Sequence, residues 1–199
     1  AMANAPAMLR EGRKILVPGN VWFIGTANHD ETTSELADKT YDRAHVMTLP
    51  KQDHRFSIRR YDSASFSYSS LSKSFDEACN KHREEVSGLL KWLSEDRLTS
   101  LLEKDFGLGW GNRFEKQALR FIPVIKAAGG SDGEALDHLL SSRIMRKGKV
   151  TGRYDVTLDA LKRLQNALET FWIDAGLDDE PKKCYQMLEA DIRRLESVS

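Results

Sequence analysis

From Ser74 to the C-terminus the apolar residues recur every three to four positions, and this period limits the fold more than any other feature. Leu161, Leu164, Leu168 and Phe171 make one stripe, and Cys184, Leu188, Ile192 and Leu195 make another. Phe114, Ala118, Phe121, Ile122 and Ile125 make a third. Such stripes bury only if helices pack on one another, so residues 74–199 are expected to form a helical domain. The punctuation agrees. Ser74/Glu77 and Ser131/Glu134 have the spacing of capping boxes, the first opening a helix toward Trp92. A short helix is expected over "SEDRLTSLLEKDFG". Pro123 should bend the helix that carries it, Gly129-Gly130 should stop that helix, and Pro181 suits the first turn of the last one. Trp92, Trp110 and Trp172 are expected to pack in the helical core rather than stack on bases.

The first third has a different character. "VWFIGTA" lacks polar alternation and reads as a strand buried on both faces, ending at Asn28. Thr32 and Glu35 are spaced as a capping box, so a short helix should run from near Thr33 to near Arg43, with "HVMTLP" a second short strand stopped by Pro50. "SIRRYDSASFSYSSLSKS" is serine-rich and without period, and reads as a linker. The expected organisation is therefore an α/β remnant over 1–55, a linker over 56–73 and a helical domain over 74–199. The fold class is mainly α with one or two strands ahead of it.

Lys+Arg and Asp+Glu are 30 each in 199 residues, so no bulk charge attracts nucleic acid. A basic cluster of Arg146, Lys147, Lys149 and Arg153 reads as a solvated turn that could also meet phosphate or DNA. Cys79 and Cys184 are far apart and neither lies in a CxxC, so no zinc or redox motif exists. His29, Asp30 and Glu31 are adjacent, and three successive side chains converge poorly on one ion, so no metal is expected. With only two thiols a cytoplasmic protein is the plain expectation, and no apolar run is long enough to span a membrane and no signal peptide is visible. Ala1-Met2 reads as a cloning scar before an initiator methionine, or as the edge of a cut chain.

The chemistry concentrates near the start. A strand that ends at Asn28 holds a neutral amide at a sheet's carboxyl edge, where open α/β sheets bind ligands. An amide orients water against a phosphate without adding charge. Arg43, at the end of the next helix, could project to a neighbouring subunit and stabilise phosphoryl charge, or could pair with Asp42 or Asp38 on the surface.

The run "VWFIGTANHDETTSELADKTYDRAHVMTLP" resembles the sensor 1 segment of AAA+ NTPases, above all the branch around McrB-type restriction motors. The resemblance rests on Gly25, Thr26, Asn28, Asp30, Glu31, Thr32, Thr33, Lys39, Asp42, Arg43 and Ala44. Downstream, "GWGNRFEKQALRFIPV" looks like the helix that opens the sensor 2 part of the lid, and "EALDHLLSSRIMRKGKVTGRYDVTLDALKRLQNAL" is similar to the following lid segment. The resemblance implies Asn28 as sensor 1, Arg43 as arginine finger and Arg113 as the sensor 2 contact to the γ-phosphate. Asp30, Thr32, Lys39 and Asp42 support the motif. ATP or GTP with Mg would be the cofactor of the full-length module.

What is missing matters as much. The chain has no GxxxxGK[ST] and no apolar run ending in Asp-Glu, so nothing in it grips the β-phosphate and Mg²⁺. Alone, it is expected to be inactive and to hold no nucleotide tightly. The expectation is thus the C-terminal fragment of an AAA+ ring motor from a McrB-like DNA restriction system, hexameric when whole, with a nuclease subunit as a possible partner. Val21 to Ala27 would have lost its neighbouring strands, so self-association or non-native pairing through 15–50 is expected. The alternatives are a non-enzymatic helical partner-binding module with a relic motif, and a MoxR-like chaperone ATPase.

Overall fold

The structure is a computed structural model that describes residues 17–27, 40, 43–47, 49, 62–146 and 156–197. The chain divides into two compact units, Ala1–Ala37 and Asp38–Ser199.

In the first unit, 17–27 contain a turn, closed by the Val21 amide donating to Pro18 O at 3.1 Å, followed by exposed chain without regular structure. Trp22, Phe23 and Ile24 are 63%, 82% and 91% exposed. The expected doubly buried strand is therefore not formed. The physical reason is elementary: a strand satisfies its backbone only through a neighbour, and among the described residues no strand exists to pair with it. The second expected strand fails likewise, since 45–47 and 49 carry no strand.

The second unit is helical. Among the described residues Thr40 and Arg43 are helical, and the full helices are α1 (Tyr68–Lys81), α2 (Arg83–Glu95), α3 (Arg97–Phe106), α4 (Asn112–Ala127) and α5 (Asp132–Leu139), then a π-helical turn Leu140–Ile144, α6 (Leu158–Asp174) and α7 (Lys182–Glu196). The stripes do what their period requires. Leu161, Leu164, Leu168, Phe171, Cys184 and Leu188 are fully buried, with Ile192 and Leu195 packed at the margin. Trp172 is buried and Trp110 packs against the core, but Trp92 is half-exposed, its edge set against Phe171 at a centroid distance of 6.2 Å.

The Ser131/Glu134 cap forms as expected, with Ser131 Oγ accepting from the Glu134 amide at 2.9 Å. The Ser74 cap does not. The cap of α1 is Ser67, whose Oγ accepts from Ser70 N at 3.1 Å, and Ser74 lies mid-helix, donating to Ser70 O. Residues 68–73, read as linker, are thus helical. The single helix expected toward Trp92 is broken at His82 into α1 and α2. Pro123 is accommodated inside α4, and Gly129, at φ +92°, ends the helix in a conformation that other residues avoid.

One cap is supplied from a distance. Helix α7 has no capping side chain at its own start, where Pro181 stands. Instead Asp137 of α5, 4% exposed, accepts from Lys183 N at 3.0 Å and Cys184 N at 2.9 Å. A buried carboxylate at a helix N-terminus meets both the unpaired amides and the positive end of the dipole. This junction fixes α7 against α5.

Candidate functional site

Between α3 and α4 the chain turns tightly. Gly107 caps α3 at φ +60°, and Leu108 N donates to Leu102 O at 2.8 Å, which tucks Leu108 into the core. Gly109-Trp110-Gly111 then leads into α4, and Trp110 stacks obliquely on Phe114, 5.3 Å between centroids. Gly111 caps α4 with no side chain, and the Phe114 amide donates back to Gly111 O at 2.9 Å to close the first turn.

A cleft of about 220 Å³ opens at this place, lined by Gly109–Gly111, Arg113, Gln117 and Arg143. Arg113 comes from the first turn of α4 and is exposed. Arg143 comes from the π-helical turn, which is closed by Met145 N donating to Leu140 O at 2.8 Å. The wider turn offsets the side chains that follow it relative to a regular helix, as such turns do at many functional sites. Gln117 has a buried amide oxygen with no hydrogen-bond donor. Two guanidinium groups, a glycine-bounded loop and a helix N-terminus suit a multiply charged oxyanion such as phosphate.

Arg143 also reaches a second feature. Its Nη2 donates to Ala44 O at 3.1 Å. The next residue, His45, lies against His138 of α5 and Phe121 of α4, with ring centroids 4.9 and 4.8 Å away. Burial, then the charge of Arg143, lowers the His45 pKa from its ordinary value. Burial, then Lys183, then His45 and Arg143 lower that of His138 to about 4, with Asp137 opposing.

Of the residues singled out in sequence, Arg113 lies at the cleft and Arg43 is exposed beside the Ala44–His45 contact. Asn28, Asp30, Thr32, Lys39 and Asp42 lie outside the described residues, as do Lys147, Lys149 and Arg153 of the basic cluster. Arg143, Gln117, His45 and His138 carried no motif. Arg143 and His138 take their places from the π-helical turn and from the packing of α4 on α5. Among the described residues no group of three or more His, Cys, Asp or Glu is placed to hold a metal, and no helix is long and apolar enough to cross a membrane. No protein-family model matches the chain, and neither a curated protein nor a solved structure matches it.

Proposed function

We propose that this chain is the sensor 1-to-lid part of an AAA+ NTPase, allied to the McrB-like restriction motors. Its helical unit contributes the Arg113 cleft to a nucleotide site. The observation that carries the reading is the convergence of Arg113 and Arg143, from two different elements, on a cleft at the N-terminus of α4. The terminal phosphates of ATP or GTP would meet those guanidinium groups, while the β-phosphate and Mg²⁺ would be held by residues outside this sequence, which contains no GxxxxGK[ST]. Asn28 would orient the attacking water. Arg43 would act on the nucleotide of the next subunit in a ring, a hexamer by resemblance, with a nuclease as the subunit it drives.

The test is hydrolysis by the complete module. Arg43→Ala should lower the rate by about a thousandfold or more, the range of arginine fingers, while nucleotide affinity stays within a fewfold. Arg113→Ala should weaken binding of the triphosphate more than that of the diphosphate. Wild-type turnover by Arg43→Ala removes the finger from the reading.

The exposed Trp22, Phe23 and Ile24 favour a second reading, in which 15–50 docks on another copy or another protein without chemistry. Retained self-association in a Phe23→Asp, Ile24→Asp variant would count against it.

A further inference from the structure

The strongest juxtaposition outside the cleft is the contact of His45, His138 and Phe121. The two Nε2 atoms are 3.0 Å apart, and Lys183 Nζ lies 3.4 Å from His138 Nδ1. The proton positions follow from chemistry. An ammonium only donates, so Nδ1 of His138 accepts, and the single ring proton of His138 sits on Nε2. It points at Nε2 of His45, which must then be the accepting nitrogen. Each ring's one remaining protonation site is thus already engaged. A proton added to His45 would set N–H against N–H, and a proton added to His138 would set N–H against the Lys183 ammonium. Arg143, bonded to Ala44 O, adds further positive charge from the π-helical turn. The carboxylate of Asp137, one residue before His138, is occupied by the α7 amides.

We propose that His45 and His138, closing on Phe121, form a clamp that holds the Arg43–Met47 segment on the helical bundle when both rings are neutral and releases it on acidification. The clamp does not rest on the nucleotide reading. It concerns the segment that carries Arg43 whatever that arginine does.

The sign is fixed by the two depressed values. A histidine whose pKa is lower in the closed state than in the open one stabilises closure above its open-state value. That contribution drains away as pH falls toward the closed-state value. For His138, a drop from 6.5 to about 4 sets a ceiling of about thirtyfold on the weakening of closure between pH 8 and pH 5. The realised effect is smaller, because Lys183 and Arg143 stay beside His138 when His45 leaves.

The measurement is a proton NMR titration of the histidine rings of the whole chain from about pH 8 to about pH 5. Helical circular dichroism is recorded in parallel. The nuclear Overhauser contact between the His45 and Phe121 rings should be present at the upper end and lost at the lower, with helix content unchanged. In His138→Phe, which keeps a ring but removes the blocked nitrogen, the contact should survive at pH 5, since a protonated His45 is then attracted to two aromatic faces. Persistence of the wild-type contact at pH 5 overturns the proposal, and so does its loss in His138→Phe at the same pH as in wild type. A His45 and His138 pair that both titrate at the ordinary value overturns it too.

Discussion

Asp137→Ala isolates how much of the bundle's stability rests on one capping carboxylate. Asp137 is 4% exposed and binds the amides of Lys183 and Cys184 at 3.0 and 2.9 Å. Each bond to a charged acceptor has a net worth of about 1.5–3 kcal/mol. The two do not simply add, because removing the carboxylate also removes the cost of burying it. The amides left behind are not rehydrated easily, since Cys184 is fully buried. The balance is a loss of about 3 kcal/mol for Asp137→Ala, of the same order as truncating one partner of a buried charged contact. Asp137→Asn keeps the volume and one acceptor oxygen, and should lose about half as much. At about 2–4 °C per kcal/mol for a domain of this size, alanine should lower Tm by roughly 6–12 °C. Urea unfolding followed by circular dichroism at neutral pH measures the loss, and an unchanged m-value confirms that the folded and unfolded states are otherwise comparable. If both variants unfold within about 0.5 kcal/mol of wild type, the range of an ordinary surface substitution, the carboxylate is not holding α7 in place.

Two further outcomes follow from the same packing. Cys79 is half-buried, whereas Cys184 is fully buried with its pKa pushed well up, first by burial and then by Asp137. A thiol reagent should therefore modify Cys79 in the native state and Cys184 only on opening of α7, and Asp137→Ala should speed the second reaction; equal rates at the two thiols in wild type would contradict the core as described. Glu85 accepts from Lys126 at 2.5 Å, and this bond, then His82, lowers its pKa, while Lys126 also binds Asp132 at 2.8 Å. A depressed carboxylate stabilises above its unfolded value and loses that contribution as pH falls through its folded value. Glu85→Gln should therefore cost under about 1 kcal/mol at neutral pH, as suits a half-exposed pair, and nothing once the wild-type carboxyl is protonated. Urea midpoints at about pH 7 and pH 3 check both halves of that statement, and a gap that persists at the acid end contradicts it.

The helical part was legible because its code is local and periodic. Leu161, Leu164, Leu168 and Phe171 lie on one face of a helix whatever surrounds it, and all four are buried as that face requires. Ser131 likewise caps through its own neighbours. Local code failed where two answers compete within one segment. Ser67 and Ser74 are both capping residues by composition, and the earlier one caps α1, which packs on α4. The strand at Val21–Ala27 failed for the opposite reason, because an apolar run states what should be buried and leaves the partner unspecified. Arg113 was singled out in sequence and stands at the cleft, but the residues that share its neighbourhood were not. Arg143 depends on a π-helical turn, and His45 and His138 meet across 93 positions of sequence. Such contacts are tertiary, and no spacing rule encodes them.

In the proposed function the cleft of Arg113 and Arg143 receives the phosphate end of a nucleotide. Amide and arginine side-chain NMR shifts of the chain, recorded while a nucleoside triphosphate is added, test it most directly. Without the rest of the site the affinity should be weak, a Kd of about 1 mM, or roughly −4 kcal/mol, and should fall with added salt. Shifts should centre on Gly109 to Phe114 and on Arg143, be larger for the triphosphate than for the monophosphate, and vanish in Arg113→Ala. Shifts scattered over surface lysines, or undiminished in Arg113→Ala, would contradict it.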